Sequence, residues 1–425
     1  MAAELETRYK SATELGTSDV AGAVEQLKGL VLEDSSNDAD STRIKEQAIT
    51  SLCDFHIKQG NAQGLADLLT SLRSFFNAIP KAKTAKLVRS IIDAIAKVPG
   101  STQLQVEVCK AQVEWARAEK RTFLRQRIEL RLASLYMQVK DYPAALALIG
   151  TLLSEVKKLD DKLLLVDIYL LESKGKGPFN HLLRNVPKAR ASLTAARTAA
   201  NAIYVPLQLQ AEIDCQSGIL CAEEKDFKTA YSYFFESFEQ LASLDDPRAA
   251  QVLKYMLLAK VMLDQADDVP GLISSKAGLK FAGPEAEAMR AVAQAYRDRS
   301  LQSFQDQLAA HKAQLVDDTV VHAHLADLYG TLLAQNLVRL IEPFSRVEIT
   351  HIAHLIGLPA DVVETKLSQM ILDRKLNGTL DQGAGCLEVF TPPPADAVYP
   401  AALDVMDSLS RVVDTLFARS QRVVA

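Results

Sequence analysis

Cysteine is scarce and irregular: Cys53, Cys109, Cys215, Cys221 and Cys386 are scattered over 425 residues and odd in number. That pattern excludes a closed disulfide framework and suits reduced, buried thiols of an intracellular chain. Long apolar runs are missing as well. No stretch approaches a membrane span, and Met1-Ala2-Ala3-Glu4-Leu5-Glu6 has neither a basic n-region nor an apolar h-region. A soluble protein of cytoplasm and nucleus, with no membrane partner, is the expectation. Basic excess is also absent, with 48 Lys+Arg against 53 Asp+Glu and a net charge of −5. A nucleic-acid-binding surface over the whole chain is therefore disfavoured. Glycine (18) and proline (15) are sparse enough to act as punctuation between helices. Strand-like alternation is confined to one short region near residue 380. At this length two or three domains with sizeable cores are expected.

That region is the most readable part of the chain. Periodicity predicts a short helix over 347–356, a turn at Gly357-Leu358-Pro359, a longer helix over 360–375 and a two-stranded ribbon. In the second helix Val362, Val363, Leu367, Met370 and Ile371 form one inward stripe. The ribbon strands are expected at 376–380 and 386–390, joined at Gly383 and Gly385, which can take positive φ. Helix, turn, helix, hairpin is a winged helix. Between Val347 and Phe390, however, Lys366, Arg374 and Lys375 face Glu348, Asp361, Glu364, Asp373, Asp381 and Glu388. A nucleic-acid reader needs cations over the phosphates. This module is net acidic, so it reads as a protein-docking element whose exposed sheet edge can pair with another chain.

Upstream, the chain reads as helix throughout, and it repeats. Lys140-Asp141-Tyr142-Pro143-Ala144-Ala145, Arg184-Asn185-Val186-Pro187-Lys188-Ala189 and Lys225-Asp226-Phe227-Lys228-Thr229-Ala230 share one order: charged residue, turn former, apolar residue, two variable positions, Ala. The period of roughly 40 residues is that of helix-hairpin repeats. A polar break makes the tight turn, a small Ala lets the paired helices approach, and the preceding apolar residue closes the seam. Gln59-Gly60-Asn61-Ala62 and Thr17-Ser18-Asp19-Val20 look like degenerate versions. Lys174-Gly175-Lys176-Gly177-Pro178-Phe179 interrupts the pattern, and its glycines and proline predict a surface loop rather than helix.

The C-terminal segment follows Pro392-Pro393-Pro394. In it Ala402, Met406, Leu409, Val413, Leu416, Ser420 and Val423 recur at alternating steps of four and three, a heptad seam. Such a narrow stripe wants a partner helix, or folds back on its own wing.

Several stretches resemble one family: 115–126, 157–162, 199–204, 222–234, 253–258, 342–347 and 366–373. They are similar to the PCI-domain subunits of the proteasome regulatory-particle lid. The resemblance runs from about Lys81 to the C-terminus and is weaker before it. It implies an all-α chain: a TPR-like helical-hairpin solenoid over 1–335, with the helical part of the PCI domain at about 222–335. A winged helix with a small β-ribbon wing over 336–394 and an assembly helix over 395–425 would follow. The implied role is a non-catalytic scaffold that joins other lid subunits and touches the core-particle α-ring and the ATPase ring in ubiquitin-dependent degradation. It also tips the terminal helix towards an intersubunit bundle, with Met406, Leu409, Val413, Leu416 and Val423 as candidate interface residues. The confusable relatives are PCI scaffolds of the COP9 signalosome and of RNA-linked complexes of translation initiation or mRNA export. Residues 175–178 look like a short insertion relative to the family.

Enzyme signatures are lacking. His322-Ala323-His324 resembles a metalloprotease metal pair, but Leu332 and Gln335 stand where that chemistry needs Ser and Asp. There is no HExxH, and residues 174–179 lack the Gly-Lys-Ser/Thr ending of a phosphate loop. No cofactor or metal is expected. The pairs Asp160-Asp161, Asp245-Asp246 and Asp317-Asp318 read as helix-capping and first-turn acids. Lys120, Arg121, Arg125 and Arg127 read as a solvated helix face, with docking of an acidic partner as the alternative.

Overall fold

A computed structural model of the chain describes residues 2–15, 20–32, 39–176, 185–315, 318–390 and 398–424. It divides into two units, Met1–Ala293 with Ala313–Val321 and Gln294–Lys312 with His322–Ala425.

The first unit is a succession of helices, most of which pack on the next, and the turn chemistry explains why. Lys140 takes a left-handed φ of 67°, and Asp141 then caps the helix Tyr142–Leu159 through the Ala144 amide. Lys225 does the same at 66°, followed by Asp226 capping the Thr229 amide of the helix Phe227–Ser243. Asn185 caps Val186–Asn201 through the Lys188 amide, and Gly60 (φ 67°) with Asn61 repeats the device further upstream. One left-handed residue reverses the chain, and the short polar side chain behind it satisfies the orphan amides of the next helix. The alanines of the repeat, Ala145, Ala189 and Ala230, are all wholly buried. Tyr142 and Phe227 are only half-buried, so close approach through alanine does more of the sealing than the aromatics. The Thr17–Asp19 segment lies outside the described residues.

Gly175 departs from expectation. The helix Lys162–Lys176 runs through it, and a Cβ there would lie 3.2 Å from Leu146 Cδ2 and 3.3 Å from Met137 Sδ. The glycine answers a close helix–helix approach, whose burial outweighs its roughly 1 kcal/mol propensity cost. The rest of the expected loop, residues 177–184, lies outside the described residues.

Apolar side chains make a chain of adjoining cores. One runs from Ala12 through Leu65 and Ile91 to Leu135, one centres on Ile149, Leu164 and Ile168, and one on Val166, Leu193 and Ile213. Acidic pairs split their duties: Asp160 is the left-handed C-cap of one helix, while Asp161 accepts the Leu164 amide at the start of the next. Asp245 likewise takes a positive φ, and Asp246 binds the Arg248 amide and guanidinium. Asp317 lies outside the described residues; Asp318 accepts the Val320 amide.

In the second unit the winged helix is present with one strand more than expected. Strands β1 (Arg346–Glu348), β2 (Gly378–Asp381) and β3 (Cys386–Val389) form an antiparallel sheet in the order β1-β3-β2. Residues 346–348 alternate exposed, buried, exposed, so Val347 fills the core while β1 pairs the second edge of β3. The first helix therefore starts at Ile349, and the second ends at Leu372 because Arg374 turns left-handed. Val363, Leu367 and Met370 are buried, but Val362 is 48% exposed: the buried stripe is narrower than predicted. At the wing tip only Gly385 takes a positive φ; the turn is held instead by Asp381 Oδ1, which accepts the amides of Gly383 and Ala384. Gly378 has no room for a side chain, since a Cβ would lie 2.5 Å from the Glu388 carbonyl oxygen.

Candidate assembly surface

The terminal helix Val398–Val424 carries the seam read from the sequence. Every described residue from Val398 to Gln421 is exposed, so the helix does not fold back on its own wing. Met406 is 68% exposed, Leu409 63%, Val413 54% and Leu416 59%. Val423 belongs to the helix, but its side chain lies outside the described residues. The heptad reading missed the flanks: Val405 and Val412 line one side of the seam, and Leu403 and Phe417 the other, all more than half exposed. At 100° per residue these columns widen the stripe to an arc of roughly 160°, broader than a two-stranded seam needs. The seven-residue steps from Val405 to Val412 and, two heptads long, from Leu403 to Phe417 are the signal that could have revealed them. An apolar face of this size left in water marks a protein interface.

On the wing, charge is sparse and mostly acidic. Arg346 lies opposite Glu388 in the strand register, with Nε 3.8 Å from its carboxylate, and β2 and β3 present no lysine or arginine.

The remaining candidates do not assemble into chemistry. His322 is exposed and His324 buried on the same helix, and among the described residues no three His, Cys, Asp or Glu could share a metal ion. His351 and His354 are exposed, the former edge-on to Phe344. All five cysteines are free; burial pushes the Cys53 and Cys215 thiols up to about 12 and Cys109 up to about 11, far from a reactive thiolate. The basic cluster is dispersed rather than being one face. Arg121 stacks on Trp115 at 4.9 Å and donates to the Phe76 carbonyl, and Arg125 pairs with Glu155 and Glu129. Arg127 lines a 380 Å³ hollow with Arg131, Asp93 and Asp167. Burial pushes the Asp167 carboxyl up to about 6 there, against the pull of Arg127.

Comparison with known proteins finds three matched segments. Residues 5–139 match the 26S proteasome regulatory subunit RPN6 N-terminal domain, 308–391 the PCI domain and 395–421 the RPN6 C-terminal helix domain. A curated relative in Arabidopsis thaliana, a 26S proteasome non-ATPase regulatory subunit 11 homolog, is 63% identical over 395 residues, 93% of each chain. The chain belongs to the RPN6 family. Family members in Dictyostelium discoideum (subunit 11) and Saccharomyces cerevisiae (regulatory subunit RPN6) are 49% and 45% identical, covering 93% and 88% of this chain and 94% and 87% of their own. The exposed arc of the terminal helix thus coincides with a segment that the RPN6 family carries as a domain of its own.

Proposed function

We propose that the chain is a non-catalytic scaffold subunit of the proteasome regulatory-particle lid, working in cytoplasm and nucleus. Its PCI module and terminal helix join other lid subunits, and its helical repeats tether the lid to the core-particle α-ring and the ATPase ring. Ubiquitin-dependent degradation depends on that clamp. The observation that carries this reading is the fully exposed apolar arc between Val398 and Gln421 in a chain of the RPN6 family. A helix that leaves so much apolar surface in water is completed only by other helices. Met406, Leu409, Val413, Leu416 and Val423 are the contacts assigned to that bundle, which makes the helix a mortar between subunits rather than part of this chain's own core.

Affinity purification of the tagged chain at moderate salt, with mass spectrometry and a fluorogenic peptidase assay, tests the proposal. Lid, ATPase and core subunits with ATP-dependent peptidase activity are expected. Deleting residues 402–425 is expected to leave a folded chain that no longer enters the lid. Truncation before about Lys81 should spare lid assembly and reduce the amount of capped core particle on native gels. Recovery of signalosome subunits or ribonucleoprotein without peptidase activity would overturn the reading.

A further inference from the structure

The second unit holds a groove that the winged-helix and terminal-helix readings do not use. Its volume is about 640 Å³, and Arg299, Arg339, Lys375, Glu342, Thr331 and Gln335 line it above a floor of Ala334, Val338 and Met370. The three cations come from three separate places in the chain. Arg299 sits in the left-handed turn that ends one helix, with its carbonyl accepting a hydrogen bond from Asn336 at 3.0 Å. Lys375 follows a second left-handed turn at Arg374, and its amide is bound to the Met370 carbonyl. Arg339 lies in the last turn of the helix Thr319–Ile341. Among the described residues none of the three forms an ion pair, although each is exposed and Glu342 stands in the same groove. A cation near a helix C-terminus offsets that helix's own dipole. That effect needs no convergence of three cations on one apolar floor.

We propose that this groove docks an acidic, amphipathic segment of a neighbouring protein subunit; the inference rests on the scaffold reading above and names the partner chemistry of its PCI module. Carboxylates spaced three or four residues apart on the partner reach Arg299, Arg339 and Lys375, and an apolar side chain between them covers Val338, which is 38% exposed. Gln335 supplies a neutral hydrogen-bonding group beside them. Nucleic acid fits less well. Three cations neutralise few phosphates, and Glu342, which lines the same groove, repels a phosphate backbone. Charge complementarity of this kind sets register and partner choice more than raw affinity.

The test is fluorescence anisotropy on the full chain, with a fluorescein-labelled twelve-residue peptide of glutamate and leucine, its glutamates at three- and four-residue steps. Salt-sensitive binding is expected, weakened at least tenfold by Arg339→Glu with Lys375→Glu. The same charge change at exposed Lys81 and Lys86 should leave it unaltered. If the double reversal lowers the melting temperature, Val338→Arg decides: it adds positive charge but fills the apolar floor, so docking predicts loss where bulk attraction predicts gain. Absence of peptide binding, equal loss in the control, or tighter binding of a labelled twelve-nucleotide single-stranded RNA would overturn the inference. Purification of the same variants separates the two readings. Peptide binding by a chain that never enters the regulatory particle would sink the lid role and spare the groove; assembly without peptide binding would do the reverse.

Discussion

Asp318→Asn should destabilise the first unit far more than its position at a helix start suggests. Asp318 Oδ2 lies 2.8 Å from the ammonium of Lys254, a residue only 4% exposed, and accepts the Tyr255 hydroxyl at 3.0 Å. Its other oxygen accepts the Val320 amide at 3.1 Å. At an effective dielectric constant near 20, the ion pair is worth about 6 kcal/mol before desolvation. Glu285, 3.8 Å from the same ammonium, retains part of that attraction after the substitution. Removing one partner of a buried pair costs about 3–5 kcal/mol, because the remaining charge is left uncompensated. The double variant Lys254→Met with Asp318→Asn removes that orphaned charge while keeping the apolar stem of the side chain. It should recover most of the loss, ending within about 2 kcal/mol of the parent. Urea denaturation followed by circular dichroism gives the three free energies, and amide exchange at residues 319–321 reports the joint locally. A cost below about 1 kcal/mol for Asp318→Asn, or additive losses in the double variant, would refute the view that Asp318 is a three-way joint.

The remaining predictions are simpler. Asp167 has its folded-state pKa raised above the ordinary carboxylate value, to about 6, by burial. The folded chain therefore holds a proton that the unfolded chain has lost between about pH 4 and 6, and stability falls as pH rises through that window. Asp167→Asn should stabilise the chain at pH 7 by on the order of 1–2 kcal/mol, a gain that shrinks towards pH 4 in denaturation series; a pH-independent difference would contradict this. Gly218→Ala places a Cβ 2.6 Å from the buried Phe234 ring and should cost about 1–3 kcal/mol, partly recovered by adding Phe234→Leu. Leu409→Asp with Leu416→Asp should change the unfolding free energy by less than about 0.5 kcal/mol each while abolishing co-purification with lid subunits, since both side chains are solvent-exposed in the chain alone.

The local sequence by itself determined the helical repeats, the winged-helix order and the terminal seam. Lys140-Asp141 and Lys225-Asp226 build their turns from their own backbone preferences and nearest amides, and heptad spacing places one face of a helix wherever that helix lies. Tertiary structure alone decided what depends on neighbours remote in the chain. Gly175 reads as a breaker until Leu146 and Met137 are seen against it, and residues 347–348 read as the start of a helix until β3 offers an edge to pair. The arginines near residue 120 read as one basic face until Glu155, Trp115 and Asp167 draw them in different directions. Likewise, Asp318 meets Lys254, and Arg299 meets Arg339 and Lys375, across spans that no local pattern encodes. Propensity and periodicity are short-range properties of the backbone, whereas desolvation, close packing and charge pairing exist only once distant segments share a surface.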